Sequence, residues 1–436
     1  MAVRARPGGR RPGDAAPGPT GLLEPPRAHA VSAVPSDPTE GSVLGLTDWC
    51  PRARGVAGIH VGITFVLLAV VGASAAWMPQ VHRLRSVGST GVASLDGWMH
   101  WDAAWYLEIA RSGYSYHPRV QSSVAFFPLY PLLMRAVTPI FADPLVGGVV
   151  ITWVCGLVSG LLFWKWLSGH VTGTARTTAL LLLLLFPYAY YLYGAVYSDA
   201  LFLACALAAF VLLESDHPLL AGCVGALGAS ARPVGILLTI GLSVRAFELY
   251  SPRCTSKWSS THPSGPNRSR GAVALVAVGL SAAGFVGYCL YLGVRFGDPL
   301  AFARAQQAWG HTPTFSTVLK VPLLHEVRHM HWPFGSVRYL AAPVATVAAL
   351  ALVPSVFRRL GSGYGVYALL VVGVPALTTG DLFSMGRFVL AAFPCFAVAG
   401  ALLATRRHNV VLPVLIASCV LLLLFTSLFA RGYYLA

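Results

Sequence analysis

Apolar runs recur along almost the whole of this 436-residue chain, at 56–78, 145–167, 177–193, 198–214, 219–231, 233–249, 271–293, 338–357, 364–380, 385–404 and 410–430. About twenty such residues wound as a helix cross roughly 30 Å of hydrocarbon. In lipid each backbone N–H and C=O must be satisfied within the protein, which leaves helices or a closed barrel. The runs are too long and too uniformly apolar for alternating barrel strands. The chain therefore reads as an all-α polytopic membrane protein with about 11 transmembrane segments. Charge agrees, since 11% of residues are charged against roughly a quarter in soluble domains. Some runs are short. Those at 219–231 and 233–249, parted at Arg232-Pro233, look like a hairpin of short helices. Broken spans of this kind are tolerated where they line a cavity or pack on protein.

The runs also orient the chain. Residues 1–55 are rich in Pro, Gly and Arg without apolar periodicity, the composition of a disordered tail. The first run ends near Ala73-Ser74-Ala75, which looks like a signal-peptidase site, but the basic stretch before it is too long for a signal peptide. It is read as a retained helix, and 56–436 as one membrane domain. With the tail in the cytoplasm, the basic residues Arg245 to Arg270, Arg358-Arg359 and Arg406-Arg407 fall on that side, as the positive-inside rule requires. The net charge of +15 is thus a matter of topology, and nucleic acid is not an expected partner. Two long loops, 79–144 and 294–337, then face away from the cytoplasm. Within the first, Phe126–Phe141 carries Pro128, Pro131 and Pro139 and reads as an interfacial helix. The eight cysteines form no CxxC pair, so neither a zinc ribbon nor a disulfide framework is expected.

The stretch Asp96 to Pro131 is the one sizeable polar, aromatic-rich segment in the first half of the chain. Asp102 sits there between Trp101 and Trp105-Tyr106. An acid among apolar rings is partly desolvated, which raises its pKa and suits it to act as a general base. A helix over 101–110 puts Asp102, Tyr106 and Ile109 on one face and turns Glu108 away. The plainer reading is that Asp102 caps this helix.

Arg232 lies between two apolar runs, where charge is costly and usually functional. Its guanidinium suits a phosphate; the alternative is a structurally paired arginine. Asp199, beside Tyr190, Tyr191 and Tyr193, either binds a sugar hydroxyl or starts a helix. Gly297-Asp298-Pro299, followed by Gln306-Gln307-Ala308-Trp309, is either an acceptor or lipid clamp built on Asp298, or an ordinary Asp-Pro turn. Arg387, after Gly386, offers a second phosphate contact or another structural pair. His325-Glu326-Val327-Arg328-His329 matches the HExxH zinc pattern. The segment between Pro322 and Trp332-Pro333 is short, and no third ligand stands out.

WDAAWYLEIARSGY (101–114) followed by FFPLYPLLMR (126–135) resembles the PIG-V-type mannosyltransferases, relatives of the second mannosyltransferase of GPI-anchor synthesis. SARPVGILL (230–238), GDPLAFARAQQAW (297–309) and GRFVLAAFP (386–394) look like later blocks of that family in the expected order. The resemblance implies a GT-C glycosyltransferase fold and inverting transfer of mannose from a polyprenyl-phosphate donor outside the cytoplasm, with no cofactor, nucleotide sugar or bound metal. It also implies that an acid of the first outer loop is the base, and Asp102 holds that position. Trp101, Trp105 and Tyr106 are then expected to shape the sugar pocket, with Asp199, Arg232, Asp298 and Arg387 binding substrate. The Ala-, Gly- and Arg-rich composition suggests a bacterial plasma-membrane protein, for which the acceptor is a glycan, lipid or protein rather than a GPI anchor. A membrane transporter or lipid flippase, and an HExxH zinc protease, are the competing expectations.

Overall fold

The computed structural model describes residues 46–80, 90–250, 268–309, 314–329, 334–406 and 408–435. Every regular element among them is helical. The chain enters through α1 (Leu46–Trp77), which starts some ten residues inside the stretch expected to be tail. The rest of that stretch, 1–45, lies outside the described residues. The first long loop carries α2 (Ala93–Asp96), α3 (Ala103–Ser112) and α4 (Leu129–Phe141). Then follow α5 (Pro144–Ser168), α6 (Gly173–Leu184), α7 (Asp199–Glu214), α8 (Pro218–Ala229) and α9 (Gly235–Tyr250). Next come α10 (Arg268–Gly279) and α11 (Ala283–Phe296), which one helical turn joins into a single rod. The second long loop bears α12 (Ala301–Gln307), α13 (Phe315–Val318) and α14 (Val321–His329). The chain closes with α15 (Phe334–Leu360), α16 (Ser362–Thr378), α17 (Met385–Ala391), α18 (Phe393–Ala404) and α19 (His408–Ala430).

Five stretches, 52–77, 144–168, 271–296, 339–360 and 409–430, are helices long and apolar enough to cross a membrane. The bent pair α17–α18, turned by 74°, makes a sixth if it is taken as one span. Large apolar side chains such as Phe65, Val294, Val347 and Val420 stand exposed on these rods, as on helices solvated by lipid rather than water. The chain is a multi-pass membrane protein. The expected 11 spans are not matched by 11 long helices. The runs at 177–193, 198–214, 219–231, 233–249 and 364–380 yield helices of 17 residues or fewer. Phe186-Pro187 stops α6 at Leu184, and Arg232-Pro233 separates α8 from α9. The short helices gain their stability from packing. At Gly222 a Cβ would lie 1.8 Å from the Ala277 carbonyl oxygen, so α8 and α10 cross backbone to backbone.

Two features of this packing position the site. The segment between α6 and α7 leaves Tyr188, Tyr190, Tyr191, Tyr193 and Tyr197 fully buried as an aromatic floor. The two long loops meet above it. Phe127 packs edge-on against Phe302 at 5.3 Å and Phe126 lies 5.9 Å from Trp309, while Tyr288 of α11 donates its hydroxyl to the Val124 carbonyl at 2.8 Å. Lys320 ties the second loop down, its Nζ donating to the Ala376 carbonyl and, at 2.6 Å, to that of Thr379 at the end of α16. In a separate cluster Arg245 is held between Glu214 at 2.6 Å and Glu248 at 3.1 Å.

Candidate active site

Trp101 precedes α3 with φ of 59°, in the left-handed region. For a bulky residue this backbone costs on the order of 1–3 kcal/mol and persists only where its surroundings dictate it. Here the Trp101 ring packs edge-on to Tyr434 at 4.8 Å. The twist decides the aim of the next residue. Asp102 stands at the N-cap of α3, yet its side chain caps nothing. Its Oδ2 instead accepts from Nη1 of Arg387 at 2.7 Å, and its backbone N–H donates to the Tyr197 hydroxyl at 3.2 Å. The acid expected among rings also faces a guanidinium. One turn on, the buried Tyr106 hydroxyl lies 2.9 Å from Ser198 Oγ. Burial, and after it the Asp102 carboxylate, push the Tyr106 pKa above its ordinary value, so the hydroxyl is a neutral donor or acceptor.

Arg387 reaches this point because Gly386 lets α17 lie on the Tyr188 ring; a Cβ there would stand 2.3 Å from ring carbons. The guanidinium passes over Tyr197 and Tyr191, with ring centroids at 5.3 and 5.9 Å. Its buried Nε has no partner among the described residues. Arg232, in the break between α8 and α9, is buried and pairs through Nη1 with Asp199 Oδ1. Its other flank faces the Phe388 ring at 4.9 Å. Asp199 Oδ2 is likewise buried and without a partner among the described residues.

Asp102, Tyr106, Arg232 and Arg387 line one cavity of about 350 Å³. Ser198, Gln306, Trp309, Ser384 and Tyr434 contribute to its polar and aromatic wall, and Ile236, Leu237, Val374 and Pro375 to an apolar one. An acid, two guanidiniums and a mostly apolar pocket can together hold an amphiphilic phosphate and accept a proton beside it.

Four of the residues expected to contact substrate do not line this cavity. Asp199 stands behind Arg232 as its ionic partner. Asp298 lies off the cavity, where Oδ1 accepts the Leu300 N–H at 3.0 Å and Oδ2 pairs with Arg304 at 3.0 Å, the turn chemistry of Asp-Pro. Trp101 and Trp105 sit one layer out: Trp101 supports Tyr434, while Trp105 stacks on Phe126 at 5.9 Å and meets Trp309 edge-on at 5.7 Å. Near the HExxH pattern, His329 Nδ1 lies 2.8 Å from the His325 carbonyl oxygen. No three His, Cys, Asp or Glu side chains converge on a metal-sized site among the described residues; His311 and His331 lie outside them. Sequence reasoning passed over Ser384 and Tyr434, neutral residues with no spacing signal. It had reached Gln306 and Trp309 only as part of a turn-and-helix pattern.

Asp102, Asp199 and Arg232 all fall in the first 250 residues. Residues 73–250 match the Mannosyltransferase (PIG-V) family. Arg387, Trp309 and Tyr434 lie beyond the PIG-V match and reach the cavity through the fold. No curated protein sequence matches the chain. Among solved structures, it is similar to the oligosaccharyltransferase AglB of Archaeoglobus fulgidus in complex with an inhibitory peptide and a dolichol-phosphate. That likeness has 12% identity and a TM-score of 0.40, over 86% of this chain and 56% of that one. It is also similar to the oligosaccharyltransferase of the same organism in complex with Zn and sulfate, at 14% identity and a TM-score of 0.45, over 87% and 53%. The chain spans about half the length of these solved proteins.

Proposed function

We propose that this protein is an integral-membrane, GT-C-type mannosyltransferase. It takes mannose from a polyprenyl-phosphate donor and passes it to a glycan, lipid or protein acceptor on the non-cytoplasmic face. The observation that carries this reading is the meeting of Asp102, Arg387 and Arg232 on one cavity, with the PIG-V match over two of the three. The donor's phosphodiester sits against Arg232 and the unpartnered edge of Arg387, drawing Arg387 away from Asp102. The freed carboxylate takes the proton of an acceptor hydroxyl. The acceptor oxygen bonds to the anomeric carbon as the bond from that carbon to the phosphate oxygen breaks. The departing polyprenyl phosphate keeps the electron pair, and the two guanidiniums hold its growing charge, where fixed donors act most strongly. A single displacement inverts the anomeric centre and needs one carboxylate, unlike the acid pair of glycosidases.

The test is transfer from polyprenyl-phosphate-mannose with radiolabelled sugar, using purified protein and a membrane lipid extract as acceptor source. Wild type is expected to label a product. Asp102→Asn, which keeps the size of the side chain, is expected to lose about 10²–10⁴-fold in rate, the range of general-base catalysis. Undiminished transfer by Asp102→Asn would remove the proposed base. An inert wild type that moves lipid or solute across vesicles would favour a transporter.

A further inference from the structure

The stretch after α19 folds back into the site. Arg431 and Gly432 donate their N–H groups to the Leu428 and Phe429 carbonyls at 3.1 and 3.0 Å, and Tyr433 returns to Leu428 at 3.0 Å. Gly432 takes a φ of 81° to make the turn, a conformation that glycine adopts freely. His100 Nε2 lies 3.0 Å from the Ala430 carbonyl, and Leu435 is buried. The next side chain inward, Tyr434, is gripped by Trp101 at 4.8 Å and Phe383 at 6.3 Å, both edge-on. It lines the cavity beside Asp102, Arg387 and Ser384. Ser384 stands at the N-cap of α17 but spends no side-chain hydrogen bond on the cap. Its hydroxyl is therefore not engaged by the cap, and it lines the cavity together with Tyr434. Burial, and next the Asp102 carboxylate, hold the Tyr434 hydroxyl protonated.

We propose that Tyr434, with Ser384, binds a sugar in this cavity, the tyrosine hydroxyl hydrogen-bonding a hydroxyl of the transferred hexose or of the acceptor glycan. A pair of neutral hydroxyls can donate and accept in one place, which matches a sugar hydroxyl and adds no charge beside the ion pair. The ring contacts fix its direction, so little side-chain freedom is lost on binding. The inference rests on the glycosyltransferase reading above and adds to it a residue that sets sugar specificity.

Tyr434→Phe keeps the contacts with Trp101 and Phe383 and deletes only the hydroxyl. Its affinity is measured for polyprenyl-phosphate-mannose and for polyprenyl phosphate, together with the acceptor KM in transfer, with Ser384→Ala in parallel. One lost neutral hydrogen bond is expected to cost about fivefold. A loss confined to the mannosylated lipid assigns the contact to the donor sugar; unchanged lipid binding with a raised acceptor KM assigns it to the acceptor. The proposal is overturned if all three values match wild type, or if sugar-free polyprenyl phosphate weakens equally, which would mark a structural role. Wild type that binds neither lipid defeats the donor reading and the sugar contact with it, a result distinct from wild-type binding that Tyr434→Phe leaves unchanged.

Discussion

Arg387 is the side chain on which most of the site's chemistry converges. It neutralises Asp102, lies over Tyr191 and Tyr197, and keeps one buried N–H without a partner among the described residues. Lysine offers a point charge in place of a planar fork and cannot serve a carboxylate and a phosphate from one geometry. Arg387→Lys is therefore expected to retain the fold but lower transfer about a hundredfold, in line with loss of a fixed donor to a developing oxyanion. Steady-state rates beside a thermal melt check both parts. His100 gives a different signal. Its ring is buried, and that burial, reinforced by Arg431 and opposed by the Ala430 carbonyl and Asp96, holds its pKa below 6.5. The unfolded chain then binds the proton more readily than the folded one, so stability is full above 6.5 and falls as the pH drops below it. Melting at about pH 7.5 and 5.5 should show a smaller acid loss for His100→Gln than for wild type. Asp102 and the two arginines were legible in the sequence because charge amid apolar residues is costly and so stands out. Asp199 and Asp298 stood out equally, since an acid that binds ligand and one that holds an arginine look the same in one dimension. Tyr434 and Ser384 carry no charge, and nothing in the sequence marked them.

The break between α17 and α18 shows how a helix can serve the site by ending. Pro394 lacks the N–H needed to continue α17, the pair bends by 74°, and Arg387 is left on the short segment next to the cavity. Gly386 completes the arrangement by admitting the Tyr188 ring. Gly386→Ala places a methyl where only a hydrogen fits, so α17 must move. Activity is expected to fall more than about tenfold and the melting temperature by several degrees, as for other overpacked cores. Gly279→Ala, with nothing within 4 Å of the added methyl, is the control expected to leave both unchanged. Hydropathy placed most of the helices but misjudged their ends. An apolar run looks continuous through Phe186-Pro187, where the chain leaves α6 and lays down the tyrosine floor. The tyrosines after Pro187 continue the run in sequence but serve a different purpose.

The chain brings both long loops to one cavity, although about 150 residues separate them in sequence. That meeting was legible only through the side assigned to each loop by the basic clusters. It leads to a topology test in a background lacking the native cysteines. His117→Cys, on the exposed rim of the first loop, should react with a membrane-impermeant maleimide on intact cells. Arg359→Cys, exposed at the end of α15, should react only after permeabilisation. The reverse pattern would put the cavity on the cytoplasmic side. The ion pair at its centre also fixes when the protein can first become competent. Asp102 emerges early in synthesis, and its partner is separated from it by 285 positions. Until α17 has been inserted, that carboxylate lacks the Arg387 guanidinium and the cavity lacks a wall. A nascent chain that ends before Arg387 is thus expected to hold Asp102 without its ion-pair partner and to lack transfer activity.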